Sequence, residues 1–183
     1  MAIYATAETN YELPAAGLYP AVCVDVVDEG YKPTQFGDKH KVRFVFQIDE
    51  QTSKGYRHTV SSWFNLSMHE NSSLRKFLEA WRGRPFTDQE INQPPGFDLE
   101  SVIGKPCTLN IVHNESNGKT YANVGSIAQH SSKFGQPIQP ENYIRVEDRE
   151  GANAHGGAGA ALVAGKGAFK QPEPDLSDDD IPF

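Results

Sequence analysis

The chain has 183 residues, 38% of them hydrophobic and 22% charged, with a formal net charge of −7. That length suits one domain of ordinary size plus a tail, and the composition is that of a soluble protein. No apolar run approaches the roughly 20 residues of a membrane-spanning helix, and no positively charged start leads into a long apolar stretch, so no signal peptide is read. Cys23 and Cys107 lie far apart in apolar contexts and read as buried thiols rather than a disulfide or metal pair, which points to the cytoplasm. Residues 1–150 carry a net −4 and residues 151–183 a net −3. A body this acidic can bind phosphates only by gathering its positive charge on one face.

Residues 1–16 read as an irregular N-terminal arm. Leu18 to Val27 reads as a strand with Val22, Val24 and Val26 on one face and Asp25 on the other, closed by Asp28-Glu29-Gly30. Tyr31 to His40 is expected to be a loop, since it mixes Pro33 and Gly37 with two aromatics and two lysines. Lys41 to Asp49 is the clearest strand: Val42, Phe44, Phe46 and Ile48 alternate with Lys41, Arg43, Val45 and Gln47, which gives a core face and an outward face. Tyr56 to Asn65 follows, with Val60 and Phe64 inward and Arg57, Thr59, Ser61 and Trp63 outward.

Asn71 to Gly83 reads as a helix, with Asn71 or Ser72 as N-cap and Gly83 as its stop. Leu74, Phe77, Leu78 and Trp81 fall on one apolar stripe, so Trp81 is assigned to the core. Residues 84–97, with Pro85, Pro94 and Pro95, read as a loop, and Phe97 to Gly104 leaves room for one short helical turn. Lys105 to His113 is a strand with Cys107, Leu109 and Ile111 inward. Asn117-Gly118 is a strong hairpin signal, and Lys119 to Ala128 returns. Five strands with a helix after the third fit a mainly β fold, a five-stranded OB-fold barrel over residues 17–130.

Periodicity fades in residues 131–150, an extension of the domain with a short strand expected at Tyr143 to Val146. Residues 151–174, rich in Gly and Ala, read as a flexible linker with an r.m.s. span of about 25–30 Å, so the C-terminal tail is expected to be disordered. The chain then ends in Asp175-Leu-Ser-Asp-Asp-Asp-Ile-Pro-Phe183. Charge keeps this peptide solvated, yet it closes on an apolar ring with a free carboxylate. That combination suits a hook: a partner receives the ring of Phe183 in an apolar pocket, holds the carboxylate with a basic group, and meets the aspartates with a basic rim.

Asp178, Asp179, Asp180, Ile181, Pro182 and Phe183 also resemble the terminal tip of bacterial-type single-stranded DNA-binding proteins, and a phage- or plasmid-encoded member fits better than the cellular one. The resemblance covers those residues alone. It implies an OB-fold that holds single-stranded DNA and a tip that recruits replication, recombination and repair enzymes.

Single-stranded nucleic acid needs positive charge to follow its backbone and aromatic faces for its bases. Residues 31–62 hold Lys32, Lys39, Lys41, Arg43, Lys54 and Arg57 against Asp38, Asp49 and Glu50, a local excess of positive charge. Tyr31, Phe36, Trp63 and Tyr121 are the stacking candidates, and Trp63 can equally face a second subunit or the C-terminal extension. The histidines show neither His-Glu-x-x-His nor Cys-x-x-Cys partners, so no metal or other cofactor is expected. The expected function is non-catalytic binding of single-stranded DNA, with a homo-oligomer open and no membrane partner. The rivals are an accessory protein of recombination or repair whose barrel mainly binds protein, and a magnesium-dependent nuclease.

Overall fold

The computed structural model describes residues 12–149. The linker expected at 151–174 and the tip at 175–183 lie outside the described residues. Five strands form one antiparallel sheet: β1 Gly17–Thr34, β2 Gly37–Gln51, β3 Arg57–Asn65, β4 Pro106–Ser116 and β5 Lys119–Gln129, in the order β3-β2-β1-β4-β5. Helix α1 (Ser73–Arg82), the short helix α2 (Asp88–Asn92) and a 3-10 turn at Leu99–Val102 lie between β3 and β4. The outer strands β3 and β5 approach one another, and no ladder joins them among the described residues.

The alternation of β2 has the expected effect. Val42, Phe44, Phe46 and Ile48 are all buried, in one core with Leu74, Leu78, Trp81, Leu109 and Ile111. Helix α1 presses its stripe onto this face, with Phe77 4.6 Å from the Phe64 ring and Trp81 5.5 Å from the Phe46 ring. Ser72 accepts a hydrogen bond from the Arg75 amide as N-cap, and Gly83 ends the helix at φ 70°. Trp81 buries its indole and donates Nε1–H to the Pro106 carbonyl at 3.0 Å, so its polar edge is satisfied. The β4–β5 turn uses Asn117 and Gly118 at φ 52° and 72°, the left-handed pair that matches hairpin twist. Cys23 and Cys107 are free and fully buried. Desolvation pushes the Cys23 thiol up to about 12 and raises that of Cys107 as well.

Five expectations need correction. Tyr31 to His40 is not a loop: β1 runs on to Thr34 and β2 starts at Gly37, with only Gln35 and Phe36 between them. Asp28-Glu29-Gly30 does not end the strand, because a bulge between Asp28 and Gly30 takes up the extra residue, with Gly30 at φ 68°. A second bulge between Cys23 and Asp25 breaks the parity of β1. Val22 and Val24 therefore pack with Val45 and Ile138, while Val26 packs with the main core.

The loop at 84–97 contains α2, started by a capping box in which Thr87 and Glu90 satisfy each other's backbone amides. Finally, Tyr143 to Val146 forms no strand, and residues 146–149 make a helical turn. The Val146 amide donates to the Asp25 carboxylate at 2.8 Å instead of to a ladder.

Phe46 is fully buried between two packed rings. Phe46→Ala should therefore lower folding stability by about 3–5 kcal/mol, read as a lower urea midpoint with an unchanged slope.

Candidate nucleic-acid interface

The β1–β2 hairpin projects past the core and carries most of the candidate residues. Its register sets Gly30 opposite Lys41, Tyr31 opposite His40, and Lys32 opposite Lys39. The turn is held locally. Thr34 Oγ1 donates to the Gly37 carbonyl at 2.6 Å and accepts from the Phe36 amide at 3.2 Å. Phe36 is thereby placed at the tip with 59% of its surface exposed, and Tyr31 is 71% exposed.

Tyr31 stacks on His40 with ring centroids 4.8 Å apart, and His40 Nε2 lies 2.6 Å from the Asp28 carboxylate. The Gly30 amide, then the His40 ring, hold the Asp28 carboxyl below its ordinary range. One stacking candidate is thus fixed in orientation by an exposed hydrogen-bonded pair.

Strand alternation puts Lys39, Lys41 and Arg43 on the outward face of β2. Lys32 lies across from Lys39, and Trp63 across from Arg43. Two like charges directly opposite each other on a sheet repel, and an anion between them relieves that repulsion. Lys32, Lys39 and Lys41 make no ion pair among the described residues. Arg43 differs: its guanidinium is bound to Glu29 at 2.5 Å and lies over the Trp63 ring, 5.7 Å from the centroid. Trp63 is half-buried beneath it.

Two candidates stand apart from this strip. Arg57 sits at the far end of β2 and β3, where it donates to the Gln139 carbonyl at 3.0 Å and pairs with Glu141 at 3.2 Å. Tyr121 is on β5 beside the other hairpin turn. Because β4 pairs with β1 near Gly17, that turn and the β1–β2 turn run off opposite ends of β1. The hook residues Asp178, Asp179, Asp180, Ile181, Pro182 and Phe183 lie outside the described residues.

The partner of Arg57 belongs to a larger arrangement that the sequence reading missed. Residues 138–146 cross the outward face of β1 and β2. Gln47 exchanges two hydrogen bonds with the Glu141 backbone, at 2.6 and 2.8 Å. Asp25, only 1% exposed, accepts from Tyr143 at 3.2 Å, from Arg145 at 3.1 Å and from the Val146 amide at 2.8 Å. Arg145 is shared with Glu100 and Glu147, both at 2.6 Å. The nearby carboxylate raises the Tyr143 hydroxyl less than burial does, and together they push it to about 12.

The outward face therefore divides in two. The Asp25–Val45–Gln47 half is covered, and the Lys32–Lys39–Lys41 half is open. The signal in the sequence was an aspartate inside a valine run and a glutamine in an apolar alternation, both of which need a buried partner.

Among the described residues, no three His, Cys, Asp or Glu side chains gather as metal ligands, and no helix is long and apolar enough to cross a membrane. No protein-family model matches the chain, and no curated protein matches it either.

Asp25→Ala should free residues 138–146 and cost about 3 kcal/mol, near the low end for breaking a buried pair, because Arg145 keeps Glu100 and Glu147. Hydrogen exchange should quicken first at Glu141 and Val146, whose amides lose or loosen their acceptors.

Proposed function

We propose that this chain binds single-stranded DNA without sequence preference and without catalysis, through an OB-fold barrel. The projecting hairpin carries this reading: the opposed pair Lys32 and Lys39, followed by Lys41, line one face of a two-stranded arm whose other face carries exposed Tyr31 and whose tip carries exposed Phe36. Backbone phosphates relieve the lysine repulsion, and bases stack on the rings. The strand order, the helix between β3 and β4, and the close approach of β3 to β5 support a barrel. The acidic tip supplies the second half of the proposal, recruitment of replication, recombination or repair enzymes through Phe183. No cofactor is required, and the cytoplasm is the proposed compartment. A homo-oligomer remains compatible with this reading.

One observation favours a second reading, an accessory protein whose barrel mainly contacts protein. Residues 138–146 occupy half of the outward face, which shortens the track left for a nucleic-acid strand.

Titration of the full chain with labelled oligo-dT at two salt concentrations tests the first reading. Affinity should fall with salt, and replacing Lys32 and Lys39 together by Ala should lower the slope of log affinity against log salt by about 1.4. Phe36→Ala should weaken binding by about 1–3 kcal/mol. Trp63→Ala should cost less, since Arg43 already lies over that ring. An affinity that stays flat with salt and indifferent to Phe36 removes DNA from the hairpin and leaves the protein-binding reading.

A further inference from the structure

A cavity of about 530 Å³ lies away from the hairpin, between the end of α1, the 3-10 turn, the start of β4 and the end of β5. Its volume is within the range of small-molecule sites. Trp81, Phe86 and Phe97 form its apolar wall, and Arg82, Lys105 and His130 its polar one. Trp81 is already fixed, since its indole Nε1–H donates to the Pro106 carbonyl at 3.0 Å. Phe86 and Phe97 meet edge to face with centroids 4.9 Å apart. The Arg82 guanidinium lies 4.2 Å from the centroid of Phe86 and 6.0 Å from that of Phe97, which sets its charge directly against the rings. Gln129 fastens this corner by donating to the Arg82 carbonyl at 2.6 Å.

The charges beside the cavity do not cancel. Glu90 is shared by Arg82 and Arg84, at 2.6 and 3.0 Å. Glu79 is taken up by Arg75 and the Phe86 amide, each at 2.9 Å. Lys105, at an exposed position, adds a further positive charge. Arg82 Nη1 and both ring nitrogens of His130 are buried with no hydrogen-bond partner among the described residues. Buried polar atoms are nearly always paired. A guanidinium N–H can only donate, and an imidazole carries an N–H in either tautomer. The wall therefore has donors to spare beside a fixed aromatic surface.

We propose that this cavity binds a nucleoside 5′-monophosphate group, its base against Phe86 and Phe97 and its phosphate facing Arg82, His130 and Lys105. Three separate donors suit a phosphate, which offers three strong acceptor oxygens where a carboxylate offers two. Rings set edge to face give a planar base one face to stack on and one edge to meet. The same group comes either as a free mononucleotide or as the 5′-phosphorylated end of a DNA strand. This site is separate from the hairpin and does not rest on the hairpin's binding DNA.

Equilibrium dialysis of the full chain against dAMP, deoxyadenosine and inorganic phosphate tests the proposal. Deoxyadenosine and phosphate should each bind at least about tenfold more weakly than dAMP, because each keeps one half of the contacts. Lys105→Glu should weaken dAMP about fivefold or more through charge reversal. Phe97→Leu keeps an apolar side chain and removes the ring, and should weaken dAMP by about fivefold or more as well. If Phe97→Leu does not fold, the exposed Lys105→Glu carries the test.

Repeating the dAMP measurement with 5′-hydroxyl oligo-dT at saturation separates the two surfaces: dAMP should still bind. A 5′-phosphorylated oligo-dT that binds about tenfold tighter than its 5′-hydroxyl form assigns the cavity to a strand end, and equal affinities assign it to the free nucleotide. The proposal is overturned if dAMP does not bind, if inorganic phosphate binds as tightly, or if oligo-dT displaces dAMP. N-acetylphenylalanine binding as tightly as dAMP also overturns it, in favour of an aromatic carboxylate. Retained dAMP binding without any affinity for oligo-dT removes the hairpin reading and leaves this one standing.

Discussion

β1 hydrogen-bonds on both of its edges, to β4 over Gly17–Val22 and to β2 over Ala21–Thr34. An 18-residue strand can do this without aligning all its residues with one face because two bulges reset its parity. The first, before Asp25, turns Val22 and Val24 away from the main core and leaves room for a second apolar cluster behind the sheet. The second, at Gly30, lets the strand continue beyond the core and carry the hairpin. Both surfaces discussed above, the covered half and the open half, are therefore consequences of one strand serving two neighbours.

Much of this was legible where local physics and tertiary context agree. The alternation of β2, the stripe of α1, the Asn117-Gly118 turn and the strand–helix–strand order all survive, because each is set by residues close in sequence. The hairpin at 31–40 was hidden by Pro33, Gly37 and paired lysines, which lower strand propensity but are tolerated in a protruding arm. Helix α2 was legible in Thr87-Asp-Gln-Glu90, a capping-box pattern outweighed by the neighbouring prolines.

Residues 138–146 could not be read locally at all. Their place is set by Asp25 and Gln47, more than ninety positions earlier in the chain.

The candidate site shows the same division. The lysines and exposed rings of the arm follow directly from the sequence, since nothing local can bury them. What the sequence could not assign is which cations are already committed. Arg43 is held by Glu29 and Arg57 by Glu141, and a guanidinium with a fixed carboxylate partner offers a phosphate less than a free ammonium does. The basic face is thus narrower than its charge count implies. It is concentrated on Lys32, Lys39 and Lys41, on the arm that also carries the two rings with the greatest exposure among the candidates, Phe36 at its tip and Tyr31 on its other face.

The bond between Asp25 and Arg145 also imposes an order on how the protein is made. A ribosome releases β1 early and Arg145 about 120 residues later, at rates on the order of ten residues per second. For several seconds the nascent chain carries a desolvation-prone carboxylate and a valine patch that no emerged segment can cover. β1 and β2 can pair in that interval, but the back of their sheet stays unfinished. The last described stretch of the chain completes the first strand, so a chain stalled before residue 138 would expose Val24 and Val45 to chaperones and proteases rather than present a smaller working domain.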